Sequence, residues 1–269
     1  MLVNQYPASD PSNDPGQFDP QPVPPAQPVR VNLPDAAPYV TYSIIGVTVF
    51  VYLLQIGSVA VLGRPSVYSN IDWLELFGAR INEFIRAGQL WRLLTPALLH
   101  GSIPHILFNM YALYVFGIGL ERYFGRGRFL LLYVLGAFTG NVTSFLFSDG
   151  YSVGASTAIF GLIGAEAVFL FQNRKLLAGR FRSAIGNVIF IIVINLFLVG
   201  SLPGIDNWGH VGGLLGGLMF AWFASPLWAI EGIQPMLHLV DRRSSREVIV
   251  GAAVVLFVFG GLTMWGMIR

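Results

Sequence analysis

"GASTAIFGLIGAEAVFL", residues 154–170, sets a serine among small residues at the head of an apolar run that contains one carboxylate and no basic residue. A helix that crosses the hydrocarbon core of a bilayer needs about 20 predominantly apolar residues, and the run 153–172 supplies them. The rest of the chain reads the same way. Of its 269 residues 54% are hydrophobic and 11% charged, with a mean hydropathy of +0.64, where an ordinary soluble chain is about one quarter charged. Comparable runs lie at 39–62, 103–120, 129–147, 184–202, 208–230 and 248–268, so seven spans are expected. Their unbroken apolarity predicts helices rather than barrel strands, which alternate polar with apolar residues.

Outside the spans, residues 1–38 hold ten of the sixteen prolines and little that could form a core; a disordered, proline-rich cytoplasmic tail is expected. No basic segment precedes an apolar stretch there, so it does not read as a cleaved leader. "PVPPAQP" within it could meet a partner that binds proline motifs. The absence of cysteine removes thiol catalysis, disulfides and thiolate-bound zinc. The sequences "ERYFGRGR", "NRKLLAGRFRS" and "EGIQPMLHLVDRRSSRE" carry ten of the sixteen basic residues, whereas "SDGYS" and "PGIDN" carry none. The positive-inside rule then puts the N-terminus in the cytoplasm and, after seven spans, the C-terminus outside. Residues 63–102 fall outside by the same parity, and their loosely helical apolar spacing predicts short amphipathic helices at the interface.

This parity makes spans two, four and six all enter from the outer surface. Their N-terminal ends carry His100 and His105, Ser156, and His210. Polar groups far apart in the chain are thereby expected at one shallow depth. A serine hydroxyl needs a base to become a nucleophile, and histidine has the pKa for that work; Ser156 and His210 form the candidate pair. Gly209, Gly213 and Gly217 recur every four residues, the kind of small-residue stripe that lets membrane helices pack backbone to backbone. In "HGSIPHILFNM", His105 and Asn109 are four apart and share a helix face. With the Ser156 backbone N–H they make a candidate oxyanion hole.

These stretches resemble the rhomboid intramembrane serine proteases. "GASTAIFGLIGA" resembles their G-x-S motif, "HGSIPHILFNM" their second-span His and Asn motif, and "WGHVGGLLGG" their sixth-span histidine. Trp91 and Arg92 in "GQLWRLLTPALLH" are similar to the Trp-Arg segment of the family's first loop, and Glu121 and Arg122 in "GLERYFG" to its Glu-Arg pair. The resemblance spans residues 40–228. It implies an all-α polytopic bundle: a six-helix core at 39–230, a basic cytoplasmic loop at 231–247 and a seventh transmembrane helix at 248–269. It implies a Ser156–His210 dyad, an oxyanion hole of His105, Asn109 and the Ser156 amide, and Phe160 stacked on the histidine. The implied protein sits in the cell membrane with its active site open to the outer side and cuts single-pass membrane proteins in or near their transmembrane segments. No cofactor, metal or nucleic acid is expected. Thr157 departs from the family's usual glycine after the serine, and its hydroxyl could compete for His210.

The sequence is also compatible with a catalytically inactive rhomboid-like binder of transmembrane helices, or with a transporter using Glu166 and the histidines. No H-E-x-x-H motif and no pair of intramembrane aspartates points to another protease class. His100 reads as a structural support, and Asp206 and Asn207 as cap or turn residues. Glu166, Asn141, Asn187 and Asn195 are expected to form hydrogen bonds within the bundle.

Overall fold

The computed structural model describes residues 37–233 and 236–269; residues 1–36 of the proline-rich tail lie outside them. The first helix of the described residues is α1 (Tyr39–Leu62), whose N-cap Pro38 offers no side-chain acceptor. A helix start leaves N–H groups without partners, and here Glu121 supplies one from another helix. It is fully buried and accepts from the backbone N–H groups of Val40 and Thr41 and from the Thr41 hydroxyl, at 2.7 to 2.9 Å.

The segment after α1 holds two short helices, as its spacing predicts: α2 (Trp73–Gly78), closed by a capping box between Asp72 and Glu75, and α3 (Asn82–Arg86). Two 3₁₀ turns, Leu90–Leu93 and Thr95–Leu98, lead to α4 (Ile103–Phe124). α4 starts where the Ser102 side chain accepts from the His105 N–H and Pro104 occupies the first turn. Gly125, at φ 76°, turns the chain into α5 (Arg126–Phe147). α6 (Ser156–Gln172), the one-turn α7 (Arg174–Leu177) and α8 (Phe181–Val193) follow. α8 passes into a π-turn at Ile194–Val199, and α9 (Asn207–Ala224) follows. An antiparallel hairpin, β1 (Trp228–Ile233) and β2 (Met236–Asp241), then precedes α10 (Ser245–Ile268). The hairpin occupies much of the stretch expected as a plain basic loop.

The fold is an all-α polytopic bundle. Among the described residues, five helices are long and apolar enough to cross a membrane: α1, α4, α5, α10, and α8 with its π-turn. Seven spans were expected, and the two others, α6 and α9, fall short for a physical reason. α6 has 17 residues and α9 has 18, the latter with Asn207, His210 and several glycines. Most of α6 and half of α9 are buried, with Leu215 and Trp222 of α9 exposed, so helix packing as much as hydropathy sets their composition. The run expected to reach 230 ends at Ala224 because Ser225-Pro226 cannot continue the helix.

The centre is built on backbone contact. A Cβ on Gly213 would lie 2.0 Å from the Thr157 carbonyl oxygen, and one on Gly217 equally close to that of Gly161. On the next face of α9, Gly212 and Gly216 meet Thr143 and Thr139 of α5. α9 is thus wedged between α5 and α6 by two glycine stripes. α1 and α8 are peripheral: 11% and 6% of their most apolar windows are buried, against 72% for α5.

Candidate active site

The N-terminal ends of α4, α6 and α9 meet at one end of the bundle. Ser156 opens α6, and its Oγ lies 3.0 Å from Nε2 of His210, in the first turn of α9. The Phe160 ring, one turn below, stacks on the imidazole at 4.3 Å between centroids and 11° between planes. This fixes the ring orientation, while His210 Nδ1 is buried without a partner. Because Ser156 sits in the first helical turn, its N–H has no intrahelical acceptor and the positive end of the helix dipole surrounds it.

His105 and Asn109 of α4 close on the same point through Gly154, which has φ 126°. A Cβ there would sit 2.6 Å from His105 Nε2 and 3.4 Å from Asn109 Nδ2, so both the backbone angle and the space require glycine at the residue two before the serine. Asn109 is buried and its Nδ2 has no partner. Two side-chain donors therefore stand beside the serine segment, at least one of them unused.

His100 supports this segment from behind. It is 1% exposed, its ring lies 5.0 Å from that of His105, and the Ala155 N–H donates to its Nε2 at a long 3.5 Å. Burial and the neighbouring His105 pull its pKa down to about 3, so the ring is a neutral acceptor at physiological pH. Its backbone is gripped by Gln55 of α1: the His100 N–H donates to Gln55 Oε1 and its carbonyl accepts from Gln55 Nε2.

Thr157 does not reach the imidazole. Its methyl and Cβ fill the space between Gly140 of α5 and Gly209 of α9, and its hydroxyl has no partner. Asp206 caps α9, accepting from the Gly209 N–H at 3.0 Å, and its other oxygen accepts from the Ser144 hydroxyl. Arg80 approaches it at 4.0 Å. In the sequence Arg80 is one basic residue of the long segment 63–102, yet in the structure it is fully buried. It donates to Asn82 and to the Ser148 carbonyl, and its backbone pairs with Ser152. Burial pulls its pKa down, opposed by Asp206. Its one legible trace is an arginine between Ala79 and Ile81.

Among the other polar residues, Asn141 joins α5 to the Leu93 carbonyl, but Asn195 bonds back to Ile191 within its own helix. Glu166 is half-buried and makes no hydrogen bond among the described residues. No group of three metal-ligating side chains occurs among the described residues.

A model of the Rhomboid domain matches residues 87–227, the segment that holds all four residues at this site. The chain belongs to the rhomboid family. It is 41% identical over 221 residues to Rhomboid protease GluP of Bacillus subtilis (strain 168), covering 81% of this chain and 41% of that protein. With RHOMBOID-like protein 2 of Arabidopsis thaliana it shares 38% over 203 residues, 73% of this chain and 63% of the relative. With RHOMBOID-like protein 1 of the same plant the figures are 43% over 148 residues, 54% and 38%. The chain thus spans about two fifths of the length of GluP. Membership of a family that includes intramembrane proteases, together with five apolar helices, makes this rhomboid chain a multi-pass membrane protein.

Proposed function

We propose that this chain is an intramembrane serine endopeptidase working through a Ser156–His210 dyad. The observation that carries the reading is the 3.0 Å contact between a hydroxyl and an imidazole nitrogen 54 positions apart. As Ser156 Oγ attacks the scissile carbonyl, His210 Nε2 takes its proton. The C–O bond forms and the carbonyl π electrons move to oxygen. That oxyanion is held by the Ser156 N–H, Asn109 Nδ2 and His105. The imidazolium then gives its proton to the leaving amine as the C–N bond breaks, leaving an acyl-serine. Water, deprotonated by His210, hydrolyses the ester and restores the hydroxyl.

Substrates are single-pass membrane proteins whose transmembrane segment unwinds easily, since an extended strand must reach a serine enclosed by helices. The tail and the basic turns lie in the cytoplasm and the site opens to the outer surface; the Lys and Arg asymmetry supports this orientation. The test is cleavage of a transmembrane reporter by the purified chain in lipid. Ser156→Ala and His210→Ala are expected to abolish cleavage, and Asn109→Ala to slow it about 10²- to 10³-fold, the usual effect of losing one oxyanion donor. Undiminished cleavage by Ser156→Ala would exclude this nucleophile.

A further inference from the structure

Beside the serine segment, between α1, α2 and the turn before α6, lies a cavity of about 410 Å³ that the dyad chemistry does not use. Its lining includes Gln55, Asp72, Glu75, His100, Gly101 and Tyr151. Two of these are buried carboxylates, Asp72 at 7% and Glu75 at 4% exposure. Asp72 is satisfied: one oxygen accepts from the Leu74 and Glu75 N–H groups and the other from Gln55 Nε2. Glu75 is not. Its Oε2 accepts from the Asp72 N–H, but Oε1 is buried with no partner. A Cβ on Gly101 would have this Oε1 at 3.8 Å and the Tyr151 hydroxyl at 3.9 Å, so both oxygens stand over one floor residue.

An unpaired buried carboxylate oxygen is costly, and burial with the neighbouring Asp72 pushes the Glu75 carboxyl up to about 7. A cation with N–H donors would relieve that cost. Arg64 is exposed at the cavity and acts on Glu75 electrostatically, but makes no hydrogen bond or ion pair with it among the described residues. The floor also adjoins the chemistry: His100, which lines the cavity, accepts from the Ala155 N–H next to the nucleophile.

We infer that this cavity is a specificity site that takes a lysine or arginine side chain of the substrate a few residues from the scissile bond, with Glu75 Oε1 and the Tyr151 hydroxyl as its acceptors. The inference rests on the proposed protease function and names a feature of its substrates.

Binding to the full-length Ser156→Ala chain in micelles tests it without turnover. The probes are fluorescent transmembrane-segment peptides in which one lysine is walked through the positions flanking the cleavage site, each compared with norleucine at the same place. At one position lysine should bind about tenfold tighter, a modest charge-pairing effect for a partly wet site. Glu75→Gln keeps an acceptor for the Asp72 N–H, and Gly101→Val narrows the cavity without altering α2; in each, the ratio should fall to within about twofold. Equal affinity at every position, no measurable binding of any peptide, or a ratio that survives both substitutions overturns the inference. Failure of the wild-type chain to cleave any reporter would instead overturn the protease reading, whatever the binding ratios.

Discussion

Gly154 shows how closely single residues define this site. Its backbone angle and the approach of His105 and Asn109 leave no room for a side chain, so two donors can crowd the segment that carries the serine. Thr157, which could have competed for His210, is instead a filler between two glycines. The residue with the clearest pH signature is Glu75. Its carboxyl rises from an ordinary 4.5 to about 7, chiefly through burial; the Asp72 N–H hydrogen bond opposes this, the Asp72 carboxylate adds to it, and Arg64 weakly opposes it. Folded protein therefore holds this proton to higher pH than the unfolded chain does. The stabilisation is complete below the unfolded value and is lost as pH rises through about 7. Thermal unfolding of the wild type and of Glu75→Gln in micelles should show the substitution raising the midpoint at pH 8 but not at pH 4. A difference independent of pH would remove the linkage.

Helix packing follows from small residues, and this was the most legible layer of the sequence. The four-residue spacing of Gly209, Gly213 and Gly217 predicts a close helix pair, and α9 does press its backbone onto α6. A second stripe, Gly212 and Gly216 against α5, was hidden because neighbouring glycines look alike until the partner helices are known. The burial of most of α6 was not legible either, because hydropathy reports the solvent a helix would prefer and not the protein packed around it. Arg80 and Gln55 were illegible for a related reason, since a lone polar residue in a loop or on a peripheral helix gains meaning only from distant partners. Gly217→Val should destabilise the bundle by about 3 kcal/mol or more, because the new atoms collide with backbone rather than with a movable side chain. Gly119→Ala, with open space around it, should be neutral or slightly stabilising. Equal unfolding midpoints for the two variants would contradict backbone contact at Gly217.

Across the whole molecule, the two ends of the bundle have different chemistry. One end gathers the starts of α4, α6 and α9 around Ser156 and His210. At the other, Arg128 pairs with Asp241 at 2.6 Å, and Arg243 reaches Glu247, Gln172 and the Ser225 carbonyl; this ties the start of α5, the ends of α6 and α9, and the start of α10 together. A rigid frame at one end thus supports a polar, partly unsatisfied cluster at the other. The sequence revealed this polarity through parity and basic loops, but not the hairpin that organises the basic end. The most direct measurement is labelling of the purified chain in lipid with a fluorophosphonate, followed by mass spectrometry of the modified residue. A single adduct on Ser156, abolished by His210→Ala, is expected. An unlabelled wild type, or labelling that persists undiminished without His210, would contradict a serine activated by this histidine.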